Sequence, residues 1–161
     1  MIAPSPNMTA HLIDDDPVLL GLLSFRLQRL CPQLVITQST EPQAPPGHDF
    51  YIIDNDFGGA HSGARLAERI RMASPNAMIL VFSSFLDVPL LKRVVNVGAD
   101  GVFDKREEAD IERLLDTVAT HCEIGRTEQA PAQRKSLVGE IVGMLQLWNS
   151  KLAREENARV L

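Results

Sequence analysis

Residues 49–56 read D-F-Y-I-I-D-N-D, and this stretch decides the fold. Phe50 to Ile53 are apolar at every position, which is typical of a strand buried on both faces of a parallel sheet. A second such run, M-I-L-V-F at 78–82, is followed by Ser83 and Ser84. Strands of this kind need cover on both faces, so we expect helices on both sides of the sheet.

The flanking segments alternate between strand and helix patterns. The runs at 10–13, 34–36 and 101–103 predict three further strands, and the spacing of apolar residues predicts helices over 18–27, 65–73, 87–98 and 109–121. This order predicts an α/β fold with an open, doubly wound, parallel five-stranded sheet. Residues 40–48, T-E-P-Q-A-P-P-G-H, should hold no more than a turn of helix, because an interior proline costs about 3 kcal/mol. The second helix is therefore predicted to be shortened or missing, with one sheet face less covered.

Composition and charge narrow the class of protein. The chain has 161 residues, of which 45% are hydrophobic and 23% charged, so one folded domain is expected. A net charge of -5 argues against nucleic acid or an anionic membrane as partner. Without a membrane-length apolar run or a basic leader, we expect a cytoplasmic protein. Cys31 and Cys122 lack the spacing of a metal or redox pair.

Polar side chains follow four of the predicted strands. They are the aspartates at 14–16, Asp54, Ser83 and Lys105. Parallel strands bring their carboxyl ends to one edge of the sheet, where ligands bind. Clustered carboxylates repel one another unless a cation is present, and oxygen ligands suit Mg²⁺. A lysine and a hydroxyl can hold a phosphoryl group there, although each residue alone is equally typical of a turn, a cap or the surface.

Over residues 9–122 the sequence resembles a response-regulator receiver domain of two-component signalling. The motifs are I-D-D-D-P at 13–17, D-F-Y-I-I-D at 49–54, V-F-S-S at 81–84 and G-A-D-G-V-F-D-K at 98–105. The resemblance implies a flavodoxin-like fold and a signalling protein rather than an enzyme. Such a domain takes a phosphoryl group from a histidine kinase or a histidine phosphotransfer protein and acts on a downstream protein.

The resemblance also implies a role for each site residue. Asp54 is expected to accept the phosphoryl group, assisted by the hydroxyl of Ser83 and the ammonium of Lys105. The expected Mg²⁺ ligands are Asp14, Asp15, Asp54 and the backbone carbonyl of Asp56. In the family, phosphorylation turns the hydroxyl residue toward the phosphoryl group, and an aromatic side chain on the last strand moves inward with it.

Several positions depart from the family pattern. The loop after Asp54 lacks the proline that is common in the family, and Gly63 lies one residue later than the family glycine. Val102 occupies the position of the expected aromatic residue, and Phe103 lies one position away. Arg106 occupies a position where many receivers have a proline. Without that proline a cis peptide bond is not expected at Arg106. These departures leave open a receiver-like interaction module without a phosphorylation switch. A third interpretation takes D-N-D at 54–56 as the motif of a haloacid-dehalogenase-type phosphatase, a family that normally carries it on the first strand.

The C-terminal part predicts a linker over 123–135 and one amphipathic helix over 136–158. A single apolar stripe runs along this helix: Val138, Ile141, Leu145, Trp148 and Leu152. We expect the stripe to form a homodimer seam or to pack on the receiver domain, for example on the less covered sheet face. One helix is too few for a helix-turn-helix reader, so no DNA-binding output is expected.

Overall fold

The computed structural model describes residues 7–57, 60–61 and 63–127. The predicted helix over 136–158 and most of the predicted linker lie outside the described residues, so their packing or dimerisation stays a prediction. The strands are β1 Thr9–Ile13, β2 Val35–Ser39, β3 Phe50–Asp54, β4 Asp56–Phe57, β5 Ala60–His61, β6 Met78–Ser83 and β7 Gly101–Asp104. The helices are α1 Pro17–Leu30, α2 Gly63–Ala73, α3 Val88–Asn96 and α4 Glu108–Thr127.

The main sheet is parallel and has the strand order β2-β1-β3-β6-β7. Strand β3 lies at its centre, and its register aligns Ile53 with Ile13 of β1 and Asp54 with Phe82 of β6. The short strands β4 and β5 form a separate antiparallel pair directly after β3. This topology confirms the predicted five-stranded, doubly wound fold.

The core has two layers, one on each face of the sheet. On one face, side chains of α1 and α4 pack against alternate residues of the central strands, which include Leu12, Phe50, Ile52, Leu80 and Phe82. The intervening residues of β3, such as Tyr51 and Ile53, are equally buried and face the opposite side, where α2 packs against β3 and β6. The uninterrupted apolar runs therefore follow from burial on both faces.

Side-chain caps set where the helices begin. The Asp16 carboxylate accepts the Val18 N–H at 2.9 Å, and that of Asp87 accepts the Leu90 N–H at 2.7 Å. Helix α3 is followed by Gly98 at a φ of 70°, the left-handed conformation in which a glycine often ends a helix. Helix α4 continues to Thr127, so the predicted linker from 123 begins too early. Among the described helices, none is long and apolar enough to span a membrane.

Residues 40–49 contain no helix, as predicted. Val35 and Thr37 of the outer strand β2 are exposed, but the neighbouring strands β1 and β3 are covered at His11 and Tyr51. The His48 ring stacks on His11 of β1 with 5.2 Å between ring centroids. The Tyr51 hydroxyl donates a hydrogen bond of 2.7 Å to the Pro45 carbonyl, and Tyr51 is fully buried. The expectation of a less covered face is therefore wrong at His11 and Tyr51, because ring stacking and a backbone acceptor in the loop replace the helix.

The buried imidazole of His11 should make stability depend on pH. Burial lowers the pKa of His11 below its ordinary value of 6.5. The hydrogen bond with the Gln43 carbonyl opposes this shift, and the nearby His48 ring adds to it. The folded state then binds a proton less readily than the unfolded chain. The stabilisation is present above pH 6.5 and is lost as the pH falls from there through the lowered pKa.

We therefore expect the free energy of unfolding in urea to decrease between about pH 7 and about pH 5, and to decrease less in His11→Gln. Equal slopes in wild type and His11→Gln would contradict the prediction.

Candidate functional site

The carboxyl edge of the sheet brings the predicted site residues together. Asp14 follows β1, Asp54 ends β3, Ser83 ends β6 and Lys105 follows β7. Ligand oxygens of Asp14, Asp15 and Asp54 lie within 4.8 Å of one another. Asp14 and Asp54 are 3% and 2% exposed, whereas Asp15 is exposed to solvent. Parallel pairing therefore assembles an acidic cluster that opens to solvent on the Asp15 side.

Lys105 supplies the positive charge inside this cluster. Its ammonium hydrogen-bonds the Asp14 carboxylate and lies 2.9 Å from Asp54 Oδ1. Its side chain is only 11% exposed, and the ammonium lies 5.6 Å from the centroid of the Phe82 ring. The backbone N–H of Lys105 donates a hydrogen bond of 3.0 Å to the Ser83 carbonyl, which fixes Lys105 at the edge of the sheet. Two buried carboxylates thus share one buried ammonium.

Burial and pairing act in opposite directions on the charges of this cluster. Burial raises the pKa of Asp14, and the hydrogen bond from Lys105 offsets only part of that effect. Burial alone would lower the pKa of Lys105, but its hydrogen bond to Asp14 and the adjacent charge of Asp54 outweigh burial and raise it. The lysine is therefore held in its charged form, and a divalent cation near Asp14 would favour the ionised carboxyl.

The residues present fit a Mg²⁺ site. The donors are carboxylate oxygens, the ligand type that Mg²⁺ prefers, and two of the three carboxylates are buried beside an exposed third. Asp16 takes no part in the cluster, because its carboxylate caps α1. The role predicted for the Asp56 backbone carbonyl stays a prediction.

The side chain of Asp56 makes a contact that the sequence analysis missed. Its Oδ2 accepts a hydrogen bond of 2.9 Å from the hydroxyl of fully buried Ser83. Its Oδ1 accepts a bond of 3.1 Å from the amide of Asn55, which is itself buried. The available signal was strand register: because Asp54 pairs with Phe82, the residues that follow these two in sequence lie close together.

Comparison with known proteins identifies the fold. No protein-family model and no curated protein matches the chain. A response regulator receiver protein from Pseudoalteromonas atlantica superposes with a TM-score of 0.62 at 19% identity, over 73% of this chain and 98% of that one. A CheY-like receiver domain from Methanospirillum hungatei gives 0.63 at 13% identity, over 74% and 97%. This chain has the receiver fold. A response regulator from Burkholderia pseudomallei, with a TM-score of 0.58 and 23% identity, covers 93% of this chain and 92% of its own.

The displaced glycine of this receiver fold lies against the end of β3. The Gly63 N–H donates to the Asn55 carbonyl at 3.4 Å. A Cβ at Gly63 would lie 2.6 Å from the Asn55 Cα and 2.7 Å from the Asp54 carbonyl oxygen. Only glycine lets α2 begin this close to Asp54, so its shifted position still serves the site.

The last strand of this receiver fold cannot substitute Phe103 for the expected aromatic at Val102. Neighbouring residues of a strand face opposite sides of the sheet. Phe103 belongs to the core cluster with Leu114 and Leu115 of α4, and the Arg113 guanidinium lies 5.6 Å from its ring centroid. An aromatic partner for Ser83 is therefore lacking at this position.

Arg106, in place of the family proline, turns back to pair with Asp104. Its guanidinium lies 2.8 Å from Asp104 Oδ2, and its N–H donates to Oδ1 at 2.8 Å. The described residues contain no cis peptide bond, as expected for this site without the proline. The Asp104 charge is thus paired beside the Lys105 cluster rather than added to it.

Proposed function

We propose that this chain is a phosphoacceptor of two-component signalling, which takes a phosphoryl group onto Asp54 from a phosphohistidine of a histidine kinase or phosphotransfer protein. The observation that carries the proposal is the Asp54 carboxylate, buried at the carboxyl edge of the sheet, with the Lys105 ammonium 2.9 Å away. Asp14 and Asp15 complete a cluster whose oxygens suit a divalent cation. Signalling would proceed through protein contacts with a downstream partner.

The chemistry is one in-line displacement. A carboxylate oxygen of Asp54 attacks phosphorus, the new P–O bond forms as the P–N bond to the donor histidine breaks, and the imidazole leaves. The Lys105 ammonium can pair with a phosphoryl oxygen as negative charge gathers on Asp54. Mg²⁺, held by Asp14, Asp15, Asp54 and the Asp56 carbonyl, would neutralise charge on the phosphoryl oxygens. The group stays on the protein, so the chain acts as an acceptor rather than an enzyme, apart from slow hydrolysis.

Similar structures support this proposal. The Burkholderia pseudomallei response regulator carries a phosphorylated aspartic acid and a calcium ion. A DrrB receiver domain, with a TM-score of 0.62 and 18% identity, has been crystallised in a BeF₃-activated form. Both proteins are similar in fold to this chain, whose sheet brings Asp54 together with Asp14 and Asp15.

A second candidate is a receiver-like module that binds a partner constitutively. Val102 at the switch position, with Phe103 turned to the opposite face, favours this reading over a routine switch. In that case Asp54 would not accept a phosphoryl group, and Lys105 would serve only to neutralise the buried acids. The two candidate functions differ in whether Asp54 accepts a phosphoryl group.

Phosphorylation of Asp54 separates them. After incubation with acetyl phosphate and Mg²⁺, we expect the intact mass of the wild type to increase by one phosphoryl group, which hydroxylamine then removes because it cleaves acyl phosphates. Asp54→Asn should show no increase, whereas Asp116→Asn, at an exposed position of α4, should behave as wild type. No increase in the wild type would favour the constitutive module, and an unchanged increase in Asp54→Asn would contradict the assignment of the acceptor.

A further inference from the structure

The single hydroxyl proton of Ser83 has two acceptors within hydrogen-bond distance, and one of them is the Asp56 carboxylate. The Ser83 oxygen lies 2.9 Å from Asp56 Oδ2 and accepts the Phe85 N–H at 3.2 Å. The Phe85 carbonyl, at 3.1 Å, is the alternative acceptor for the same proton. A carboxylate is the stronger acceptor of the two, because hydrogen bonds to ionised groups are about twice as strong as neutral ones.

Asp56 is held in position for this contact. The amide of buried Asn55 donates to Asp56 Oδ1 at 3.1 Å, which leaves Oδ2 to face Ser83. Asp56 also begins β4, which pairs with β5 through His61. The Asp56 carboxylate is therefore anchored from its own strand and from its neighbour in sequence.

A phosphoryl group on Asp54 would need the same proton. Asp54 and Phe82 are register partners, so Ser83 ends β6 beside the acceptor aspartate. Lys105 already faces Asp54 Oδ1. In the receiver family the hydroxyl residue that Ser83 matches turns toward the phosphoryl group, so the Ser83 proton is the one that the phosphoryl group would take. One proton cannot serve Asp56 and a phosphoryl oxygen at once.

We propose that Asp56 is a positioning residue whose side chain competes with the phosphoryl group for the Ser83 hydroxyl. This inference rests on the proposed function and adds a role for the Asp56 side chain beyond its backbone carbonyl. While Asp56 holds the hydroxyl, the unphosphorylated arrangement is favoured. After phosphorylation the hydroxyl can bond the phosphoryl group instead of Asp56. The phosphorylated arrangement is stabilised only by the difference in free energy between the new hydrogen bond and the lost bond to Asp56. The Asp56 side chain therefore determines how strongly phosphorylation shifts the Ser83 hydroxyl from one arrangement to the other.

Binding of beryllofluoride, a tetrahedral mimic of a phosphoryl group, tests the competition. We would measure its dissociation constant at saturating Mg²⁺, by amide NMR, for wild type, Asp56→Ala, Ser83→Ala and the double variant. Removing the competing acceptor should tighten binding about tenfold in Asp56→Ala, as expected for one charge-assisted hydrogen bond. Removing the donor in Ser83→Ala should weaken it. In the Ser83→Ala background, removing Asp56 should change the constant less than about twofold, since no proton is left to compete for.

Simple charge repulsion by Asp56 gives a different result. Repulsion does not need the hydroxyl, so Asp56→Ala would tighten binding equally in both backgrounds, and this outcome overturns the competition. Unchanged or weaker binding in Asp56→Ala overturns it as well. Absence of beryllofluoride binding in the wild type would instead count against the proposed phosphoacceptor function, and with it against the competition that rests on that function.

The Phe85 amide provides a readout without metal or beryllofluoride. Its N–H donates to the Ser83 oxygen, so its resonance reports the orientation of the hydroxyl. In Mg²⁺-free protein, Asp56→Ala should shift this resonance, and the shift should be absent when Ser83→Ala is compared with the double variant. If Asp56→Ala left the Phe85 resonance unchanged in protein that keeps the native Ser83, the contact would not hold the hydroxyl, and the proposal would be overturned.

Discussion

Lys105→Ala is expected to lower the free energy of unfolding by about 3 kcal/mol in Mg²⁺-free buffer, as measured by urea denaturation. The substitution leaves two carboxylates, Asp14 and Asp54, buried within 4.8 Å of each other without the ammonium that neutralises them. Asp14, whose pKa burial already raises, can relieve part of this repulsion by taking up a proton. Lys92→Ala, at an exposed position of α3, is the matched control and should change stability by less than about 0.5 kcal/mol.

Millimolar Mg²⁺ should restore more stability to Lys105→Ala than to the wild type, because a cation that binds only the folded state stabilises it. Asp15→Asn should reduce this gain, since Asp15 is the exposed carboxylate of the cluster. The variant should nevertheless accept the phosphoryl group poorly, because Lys105 is the ammonium that faces Asp54. Wild-type stability without Mg²⁺ and unchanged phosphorylation would together indicate that Lys105 is only a surface lysine.

Gly63→Ala should damage both the fold and the site. The new Cβ would lie 2.6 Å from the Asn55 Cα and 2.7 Å from the Asp54 carbonyl oxygen, and neither backbone atom can move away without displacing the end of β3. We expect a loss of about 2 kcal/mol in the free energy of unfolding, which is typical of overpacking. The phosphorylation rate from acetyl phosphate should fall at least about tenfold, because a displacement of about 1 Å at a reacting group can cost up to a hundredfold.

Gly21→Ala is the matched control for this prediction. Gly21 lies within α1 and is exposed, and a Cβ there would meet no atom within 4 Å. Alanine should therefore stabilise the protein by about 0.5–1 kcal/mol through its higher helix propensity, with an unchanged phosphorylation rate. If Gly63→Ala behaved like Gly21→Ala, the close approach of α2 to Asp54 would not constrain the site.

The sequence predicted the sheet and the membership of the acidic edge for one physical reason. Burial on both faces requires strands that are apolar at every position, so the sequence predicts buried strands at 50–53 and 78–82. Because the strands are parallel, the residues that follow them lie together at the carboxyl edge of the sheet. Local patterns alone therefore place Asp14, Asp54 and Lys105 at one edge, where the structure shows the Lys105 ammonium beside both carboxylates.

The contacts that depend on residues distant in sequence could not be predicted in this way. The loop over 40–48 shows only that no helix forms; its cover of the sheet depends on stacking of His48 on His11, 37 positions earlier in the chain. Helix α4 also continues past the predicted His121, at least to Thr127, where the described residues end.

The sequence by itself determined which side chains meet at the carboxyl edge of the sheet, because apolar periodicity and strand ends are properties of short segments. Only the tertiary structure decided how their side chains are engaged. The hydrogen bond from Ser83 to Asp56 joins residues 27 positions apart, and it depends on the register between β3 and β6 and on the side-chain conformation that Asn55 fixes. Such a contact leaves no periodic signal, since its geometry exists only after two strands have paired and one amide has been buried.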